Sequence, residues 1–428
     1  VSATELQQIA SDAIEELNSV LNCITVMSPE DADRALANLD SQAAFAGIPF
    51  LVKEGDGMAG QPSTMACRLG KELCCDEDSE LVSRLKRTGV VILGSTNVPE
   101  LGASTTTESL FRGPARNPWN VEHSTGGSSG GASAAVASGI VPMAQSSDSG
   151  GSIRIPAHCC GVFGLMPTRG RNPVGPASYG GVFGCVRKHV TTRSVRDSAA
   201  MLDQLQGDEI GALYRVSAPP GSFLEGLSTN GKKLRVAFSV VSPSGLPVQS
   251  ECIDGVMKAV RLCVDLGHDV EEAAPVYDWG TFLHAYIDCA AVAMQCAING
   301  LEKLSGQCAS PDTLELSNLA VLEHAKSLTP ARIQAAQMQF FLMSRGMETF
   351  FGDWDVLITP TCLSAAPLLG NINGSKPNLT AYSWADTIFS EFSPFTPIFN
   401  ITGQPAMSVP LHQSANGLPV GVQCIGRF

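Results

Sequence analysis

The chain has 428 residues, with 28 Lys or Arg against 41 Asp or Glu, a formal net charge of −13 and a pI near 5.0. This charge excludes nucleic-acid binding by bulk electrostatics, because contacts to phosphates need a basic surface. Only 16% of the residues are charged whereas 44% are hydrophobic, so the composition excludes intrinsic disorder and predicts a large buried core.

The first predicted element is an amphipathic helix that opens with a capping box at Ser2 and Glu5. Apolar runs bounded by turn residues then predict strands over 48–52, 90–93, 234–238 and 355–359. Helical spacing predicts helices over 80–88, 189–206 and 251–266.

This alternation predicts an α/β fold with a large twisted mixed sheet and helices on both faces. No linker, repeat or charge run divides the chain, so we expect a single domain over 1–428 with its catalytic core in 45–210. Residues 276–350 are apolar and predicted helical, a pattern more typical of core packing than of a pocket wall. We nevertheless assign this region as the segment that lines the substrate pocket.

The fourteen cysteines do not indicate a disulfide scaffold in a chain of this length, and the sequence contains no CxxC, HExxH or paired Cys/His array. We therefore expect no metal and no cofactor. No uninterrupted apolar run reaches about 18 residues and Val1–Ala3 does not begin a signal peptide, so we expect a cytoplasmic protein without a membrane partner. The missing initial Met and the predicted strand at 426–428 lead us to expect that both ends are trimmed.

The strongest candidates for catalytic residues lie in residues 124–171. Two Gly- and Ser-rich clusters there flank an apolar segment that is predicted to be helical. Neither cluster fits a phosphate-binding pattern, because GxxxxGK[ST] and a GxGxxG with a following acidic residue are both absent. In Asp148–Ser152 two glycines allow a tight turn whose N–H groups converge, as in an oxyanion hole. Ser152 directly after this turn is the candidate nucleophile.

A bare serine is a weak nucleophile, so the site needs a base. The sequence has no GxSxG elbow, and no His stands in a setting typical of a catalytic triad. Lys53 ends the apolar strand predicted over 48–52, where burial would disfavour its charged form. Taken alone, a solvent-facing lysine at a strand end is the more common situation.

Several motifs together resemble the amidase signature family. Lys53 lies 75 residues before Ser128, which lies 24 residues before Ser152. The matching segments are GGSSGGASAAVASG and DSGGSIRIPA, then AGIPFLVKE, VVILGSTNVPELG, RNPWN, CGVFGLMPTRGR, RSVRD, GQPAMSVPL and GLPVGVQ, which together span nearly the whole chain.

The resemblance implies the amidase signature fold and a Ser-Ser-Lys triad that works through an acyl-enzyme. Ser152 would be the nucleophile, Ser128 the bridging serine after a cis peptide from Gly127, and Lys53 the base. The resemblance assigns the oxyanion hole to the N–H groups of Ser149, Gly150, Gly151 and Ser152. It also places three supporting side chains around the triad, with structural support of the loop as their favoured role: Ser129, Asp148 and Arg154.

Two positions depart from the family pattern without touching the triad: Glu54 stands where Asp is usual and Met166 where Lys is usual. One branch of the family hydrolyses glutamine and supplies amidotransferases with ammonia. Its members usually have Gln at the position of Ile155. We therefore rank a glutaminase of this amidotransferase type second. RNPWN and PTRGR look most like bacterial hydrolases of hydrophobic amides, such as aminohexanoate cyclic dimer hydrolases, and like urethanases.

The predicted activity is therefore hydrolysis of the carbon–nitrogen bond of small hydrophobic amides or carbamates. The apolar segments at 290–293, 338–343 and 388–399 are the candidate pocket walls. Loss of a triad residue would favour a non-catalytic scaffold, but all three residues are present. A cluster of His, Asp or Glu at metal-ligand spacing would favour a metal-dependent hydrolase, but the sequence shows no such cluster. A homodimer is compatible with the family resemblance.

Overall fold

Strands and helices alternate in the computed structural model, which describes residues 1–228 and 231–428. The strands are β1 (Ile24–Met27), β2 (Pro49–Lys53), β3 (Val91–Thr96), β4 (Glu108–Ser109), β5 (Gly113–Pro114), β6 (Arg116–Asn117), β7 (Asn120–Ser124), β8 (Met143–Asp148), β9 (Phe163–Met166), β10 (Arg187–Thr192), β11 (Arg235–Phe238), β12 (Asp269–Glu272), β13 (Val356–Pro360), β14 (Ala406–Gln413) and β15 (Pro419–Gly426).

The helices complete the architecture, and the first of them has the predicted capping box. They are α1 (Ala3–Leu21), α2 (Pro29–Ala37), α3 (Glu80–Arg87), α4 (Gly130–Ala137), α5 (Arg154–Cys160), α6 (Val195–Leu205), α7 (Phe223–Gly226), α8 (Ser250–Asp265), α9 (Trp279–Ser305), α10 (Leu316–Lys326), α11 (Pro330–Asp353), α12 (Ala381–Ala385) and α13 (Pro397–Thr402).

Eleven of the described strands form one sheet in the order β1-β3-β2-β8-β10-β9-β14-β15-β13-β11-β12. The sheet is mixed: β2 is parallel to β3 and β8, and β11 is parallel to β12 and β13, whereas the strands between these two groups are antiparallel. This confirms the predicted α/β fold class.

Successive side chains of a strand point to opposite faces of the sheet, so helices pack against both faces. Leu51 packs with α1 and α4, whereas Phe50 and Val52 pack with α3 and α6 on the opposite face. At the other end of the sheet, Leu357 packs with α9 and α11, while Ile358 faces α8. Every residue of β2 is therefore buried, as the apolar run predicted.

The predicted helix over 189–206 is wrong in its first turn and a half. Residues 187–192 form β10 instead, where Val190, Thr191 and Thr192 are branched at Cβ and pair with β8. Helix α6 begins only after Ser194, whose side chain caps it by accepting a hydrogen bond from the N–H of Asp197. The apolar segment between the two Gly/Ser clusters likewise divides into α4 and β8 rather than forming one helix.

The region 276–350 is helical as predicted, and its first helix, α9, is 27 residues long. By length and composition alone α9 could cross a membrane. It contains no uninterrupted apolar run of about 18 residues, because Gly280 and Asp288 interrupt the run. In the fold, α9 buries Phe282 in the core, and Asp288 accepts a hydrogen bond of 2.7 Å from Arg332 on α11.

Two neighbouring phenylalanines on α11 give a matched test of this packing. Phe340 is fully buried in the same cluster as Phe282 and Met347, whereas Phe341 is half exposed. We expect Phe340→Ala to lower the free energy of unfolding by about 3–5 kcal/mol, because it leaves a cavity. Phe341→Ala should change it by less than about 0.5 kcal/mol. Urea denaturation of the two variants checks this, and equal losses would contradict the packing of α11.

Candidate active site

Lys53 lies at the carboxyl end of β2, an interior strand between β3 and β8, where parallel strands deliver side chains to one edge of the sheet. Only 6% of the residue is exposed. Its backbone N–H donates a hydrogen bond of 2.9 Å to Oε1 of Gln145 on β8, which fixes the strand end. The lysine is thus buried rather than solvent-facing.

The Lys53 amine contacts two serine hydroxyls, with Nζ 2.7 Å from Oγ of Ser128 and 3.0 Å from Oγ of Ser147. Burial lowers the pKa of Lys53 to about 7, although the charges of Asp148 and Asp56 oppose this effect. The carboxylate of Glu54 does not pair with the amine, because it binds Thr25 and, at 3.2 Å, Arg112. A large share of the amine is therefore in the neutral form at physiological pH.

Ser128 follows a cis peptide bond from Gly127 and precedes α4. The next residue joins it to the second Gly/Ser cluster, because the Ser129 N–H donates to the carbonyl oxygen of Ser152 at 3.2 Å. The Ser129 hydroxyl also donates to the Ser147 carbonyl at 3.1 Å. The structure thus brings Lys53, Ser128 and the Ser152 segment to one place.

The loop at 149–152 lies between β8 and α5. In the described part of the chain the N–H groups of Ser149, Gly150 and Ser152 donate to no protein acceptor, so they can serve an oxyanion. Gly151 differs from the expectation, because its N–H donates to Oδ1 of Asp148 at 2.7 Å. Gly151 instead supplies the turn, with a φ of 134° that favours glycine.

A buried ion pair between Asp148 and Arg154 stabilises this loop. Arg154 Nε and Nη2 each lie 3.0 Å from one carboxylate oxygen of Asp148, and both side chains are fully buried. Burial alone would raise the pKa of Asp148, but Arg154 and the hydrogen bond from Asn400 lower it to about 2. Asp148 therefore remains charged and accepts the N–H groups of Gly151 and Ile153.

Side chains from distant helices hold the loop carbonyls, and sequence reasoning missed them. Tyr286 of α9 donates its hydroxyl to the Ser149 carbonyl at 3.0 Å, and Thr396 donates to the Gly150 carbonyl at 2.7 Å. Both carbonyls are thereby fixed in place by side chains that lie more than 130 residues away in the sequence. No motif in the chain marks these two residues.

A cavity of about 170 Å³ adjoins Ser152. Its walls are uncharged and come from five segments: Leu101–Thr105, then Ser149, Gly150, Ser152 and Ile155, the α9 residues Tyr286, Ile287, Ala290 and Met294, Val321 of α10, and Trp384, Ile388 and Phe389. Within 276–350, four residues of α9 and one residue of α10 therefore line this cavity, and no residue of α11 does. Residues 338–343 do not reach the cavity, because α11 packs on the far side of α9 and buries Phe340 elsewhere.

Within residues 1–228 and 231–428, no three His, Cys, Asp or Glu side chains stand close enough to hold a metal ion. All fourteen cysteines are free. The chemistry available at the site therefore consists of hydroxyls, one buried amine and backbone N–H groups.

Comparison with known proteins decides the family, because the Amidase family profile matches residues 5–428. The chain belongs to the amidase family. A 6-aminohexanoate-cyclic-dimer hydrolase of Paenarthrobacter ureafaciens is 33% identical, and the match covers 100% of this chain and 88% of that protein. The solved structure of 6-aminohexanoate cyclic dimer hydrolase with substrate has a TM-score of 0.93 at 32% identity, with 100% and 90% covered. A bacterial aryl acylamidase of the amidase signature family has a TM-score of 0.87 at 26% identity, with 100% and 89% covered.

This amidase is thus an enzyme that hydrolyses amide carbon–nitrogen bonds, which removes the non-catalytic scaffold from consideration. The family resemblance seen in the sequence and the predicted amidase signature fold are both confirmed.

The Asp148–Arg154 pair gives a prediction for the stability of the amidase. Asp148→Asn leaves a buried guanidinium without its counter-charge, so we expect the free energy of unfolding to fall by about 3–5 kcal/mol. The control is Asp355→Asn, whose arginine partners Arg235 and Arg427 are about half exposed, and which should lose about 1 kcal/mol or less. Equilibrium denaturation of both variants tests this, and a loss at Asp148 no larger than at Asp355 would contradict it.

Proposed function

We propose that this amidase is a serine hydrolase that cleaves small hydrophobic amides and carbamates through an acyl-enzyme on Ser152. One observation carries the proposal: a fully buried amine, Lys53, lies 2.7 Å from the Ser128 hydroxyl and has its pKa lowered to about 7 by burial. A neutral amine in this position can accept a proton relayed from a serine nucleophile.

In the first step, Ser152 Oγ attacks the carbonyl carbon while its proton passes to Ser128, whose own proton passes to Lys53. The new C–O bond leaves a negative charge on the former carbonyl oxygen, which the N–H groups of Ser149, Gly150 and Ser152 can stabilise. Collapse of this intermediate breaks the C–N bond. Lys53 returns its proton through Ser128 to the departing amine, which leaves as a neutral molecule.

In the second step, water attacks the acyl-enzyme along the same route and gives up its proton through Ser128 to Lys53. The C–O bond to Ser152 then breaks, and Ser152 Oγ recovers a proton by the same relay. An acid and an amine are released, and the site returns to its starting protonation. A carbamate follows the same path, because attack at its carbonyl and loss of its amine require the same groups.

The walls of the cavity beside Ser152 support a hydrophobic substrate. Seventeen residues line it and none is charged, so the ammonium and carboxylate groups of glutamine would find no partner there. Aromatic rings of Tyr286 and Phe389 stand edge to face at 5.4 Å and offer an apolar surface. The cyclic-dimer hydrolase and the aryl acylamidase, both named for amides of apolar groups, agree with this substrate class.

The nucleophile is tested by Ser152→Ala, which we expect to reduce turnover to background while the melting temperature stays the same, since only one hydroxyl is removed. Ser138→Ala, at a partly exposed serine that contacts only the α4 backbone, is the matched control and should keep full activity. Mass spectrometry of rapidly quenched reactions should show the added acyl group on wild-type protein alone. More than a few percent residual activity in Ser152→Ala would remove this serine from the mechanism.

The base is tested by Lys53→Met, which should remove most activity, and by the pH profile of the wild type, which should rise through about pH 7 to an alkaline plateau. The depressed pKa means that the folded state binds fewer protons than the unfolded state between pH 7 and about 10.4. The lysine therefore weakens the fold most below pH 7, and this penalty shrinks as the pH rises through that window.

Lys53→Met should consequently be at least as stable as the wild type at pH 7, with a smaller difference at pH 9. Lys188→Met is the control, since Lys188 pairs with Asp56 at 2.8 Å and its loss should destabilise. Melting curves at both pH values decide this. A fully active Lys53→Met enzyme would place the base elsewhere.

Substrate class is tested by comparing kcat/KM for an anilide, an aryl carbamate and glutamine. We expect the two apolar substrates to exceed glutamine by at least about a hundredfold, because burying unpaired charges costs several kcal/mol. Release of the amine or ammonia is the readout. A preference for glutamine would instead support the amidotransferase-type glutaminase.

A further inference from the structure

A second ion pair lies beside the amine of Lys53, and its cation is Lys188 of β10. Lys188 Nζ is 2.8 Å from Oδ1 of Asp56, and the two side chains are only 12% and 4% exposed. In the antiparallel pairing of β8 and β10, Lys188 stands directly opposite Ser147. Directly opposed residues share a face of the sheet. Because the Ser147 hydroxyl is 3.0 Å from Lys53 Nζ, the ion pair and the amine are close neighbours.

The Asp56 carboxylate is held in this position by the backbone and by one buried amide. Asp56 follows Lys53 by three residues, and its N–H donates to the Lys53 carbonyl oxygen at 3.1 Å. Gln145 donates from Nε2 to Asp56 Oδ2 at 2.9 Å, and its Oε1 accepts the N–H of Lys53 at 2.9 Å. Asp56 is therefore fixed by the same side chain that fixes the end of β2, and Lys188 binds the other carboxylate oxygen, Oδ1.

The other carboxylates around the amine of Lys53 have counter-charges of their own. At the end of β8, Asp148 pairs with Arg154 at 3.0 Å, and both side chains are fully buried. Glu54, which follows Lys53 in the chain, pairs with Arg112 at 3.2 Å. The protonation of the amine therefore depends strongly on how well the remaining carboxylate is compensated.

Asp56 is that carboxylate, and its charge favours the protonated form of Lys53, whereas the charge of Lys188 opposes it. An unpaired carboxylate close to a buried lysine favours the ammonium form, because opposite charges attract. Lys188 counters this attraction in two ways: it neutralises Asp56, and its own charge repels a proton on Lys53. A neighbouring cation is one of the means by which enzymes lower the pKa of a lysine.

We propose that Lys188 is a positioning residue for the base: by binding Asp56, it keeps the Lys53 amine available to accept a proton. This inference rests on the proposed function, in which Lys53 is the base. Lys188 does not line the cavity beside Ser152, so it acts on the reaction only through Lys53.

The test is the protonation midpoint of Lys53, followed by NMR of labelled lysine side chains over a series of pH values. Lys188→Met should raise the midpoint by about one pH unit or more, because Asp56 then lacks its counter-charge. Asp56→Asn should lower the midpoint, since the charge of Lys188 remains without its partner. The double variant Asp56→Asn/Lys188→Met removes both charges, so its midpoint should lie between those of the single variants.

The matched control is the ion pair of Lys86 and Asp78, whose atoms are 2.6 Å apart and whose side chains are 46% and 21% exposed. Lys86→Met and Asp78→Asn should leave the Lys53 midpoint within about 0.2 pH unit of the wild type, because water and salt screen exposed charges.

The midpoint is measured without turnover, so it tests the coupling of Lys188 to Lys53 independently of the mechanism at Ser152. Equal midpoints in the wild type and both single variants, or shifts of the same sign in the two variants, would overturn the inference. If Lys188→Met does not fold, the double variant decides: its midpoint should be higher than that of Asp56→Asn alone, and an equal or lower midpoint would overturn the inference.

The pH dependence of kcat/KM then relates this coupling to catalysis. The acid limb of Lys188→Met should move to higher pH with the midpoint, so activity should fall about fivefold at pH 7 and return to the wild-type plateau at alkaline pH. A lower plateau with limb and midpoint both unmoved would indicate a purely structural role and overturn the inference. A midpoint that moves while the limb stays would contradict Lys53 as the base and would still support its coupling to Lys188.

Discussion

The burial of one lysine amine governs the architecture around the active site. In the mechanism that we propose, Lys53 has to reach Ser128 in an environment without water, because solvent would restore its ammonium form and remove its capacity to accept a proton. The interior position of β2 meets this requirement: β3 and β8 flank the strand, helices cover both of its faces, and all five of its residues are buried. Ser128 and Ser147 supply the only contacts of Nζ that are shorter than 3.1 Å in the described residues, and neither brings a charge.

The same edge of the sheet carries a second buried ionisable group, Asp148, which stays charged. Asp148 is as deeply buried as Lys53, yet its pKa falls to about 2, because Arg154 and Asn400 compensate the cost of burial. The charged carboxylate then orders the loop that presents the N–H groups beside Ser152. One edge of the sheet thus holds an amine with a lowered pKa and a permanent anion, and the difference lies in whether each group has an ionic partner.

Much of this was predictable because it depends on local sequence. The Gly/Ser clusters and the apolar strand before Lys53 are features of short segments, whereas the spacing of the three site residues was recognised through the family resemblance. The supports of the loop are not local: Tyr286 is 137 residues from the carbonyl that it binds, and Asn400 is 252 residues from Asp148. The Gly151 N–H donates to Asp148, a partner that the sequence does not reveal because it depends on the rotamer of the Asp148 side chain. The false start of α6 and the supposed pocket role of 338–343 both arose because tertiary pairing outweighs local spacing.

The central claim is that Lys53 is neutral at rest, and an NMR titration of this side chain tests it most directly. Selective labelling of lysine Cε and assignment through Lys53→Met would follow its protonation in the folded enzyme. The account predicts a midpoint near pH 7, with burial as the dominant cause. A midpoint near the ordinary lysine value of about 10.4 would show that the amine is charged at neutral pH and would contradict its role as the base.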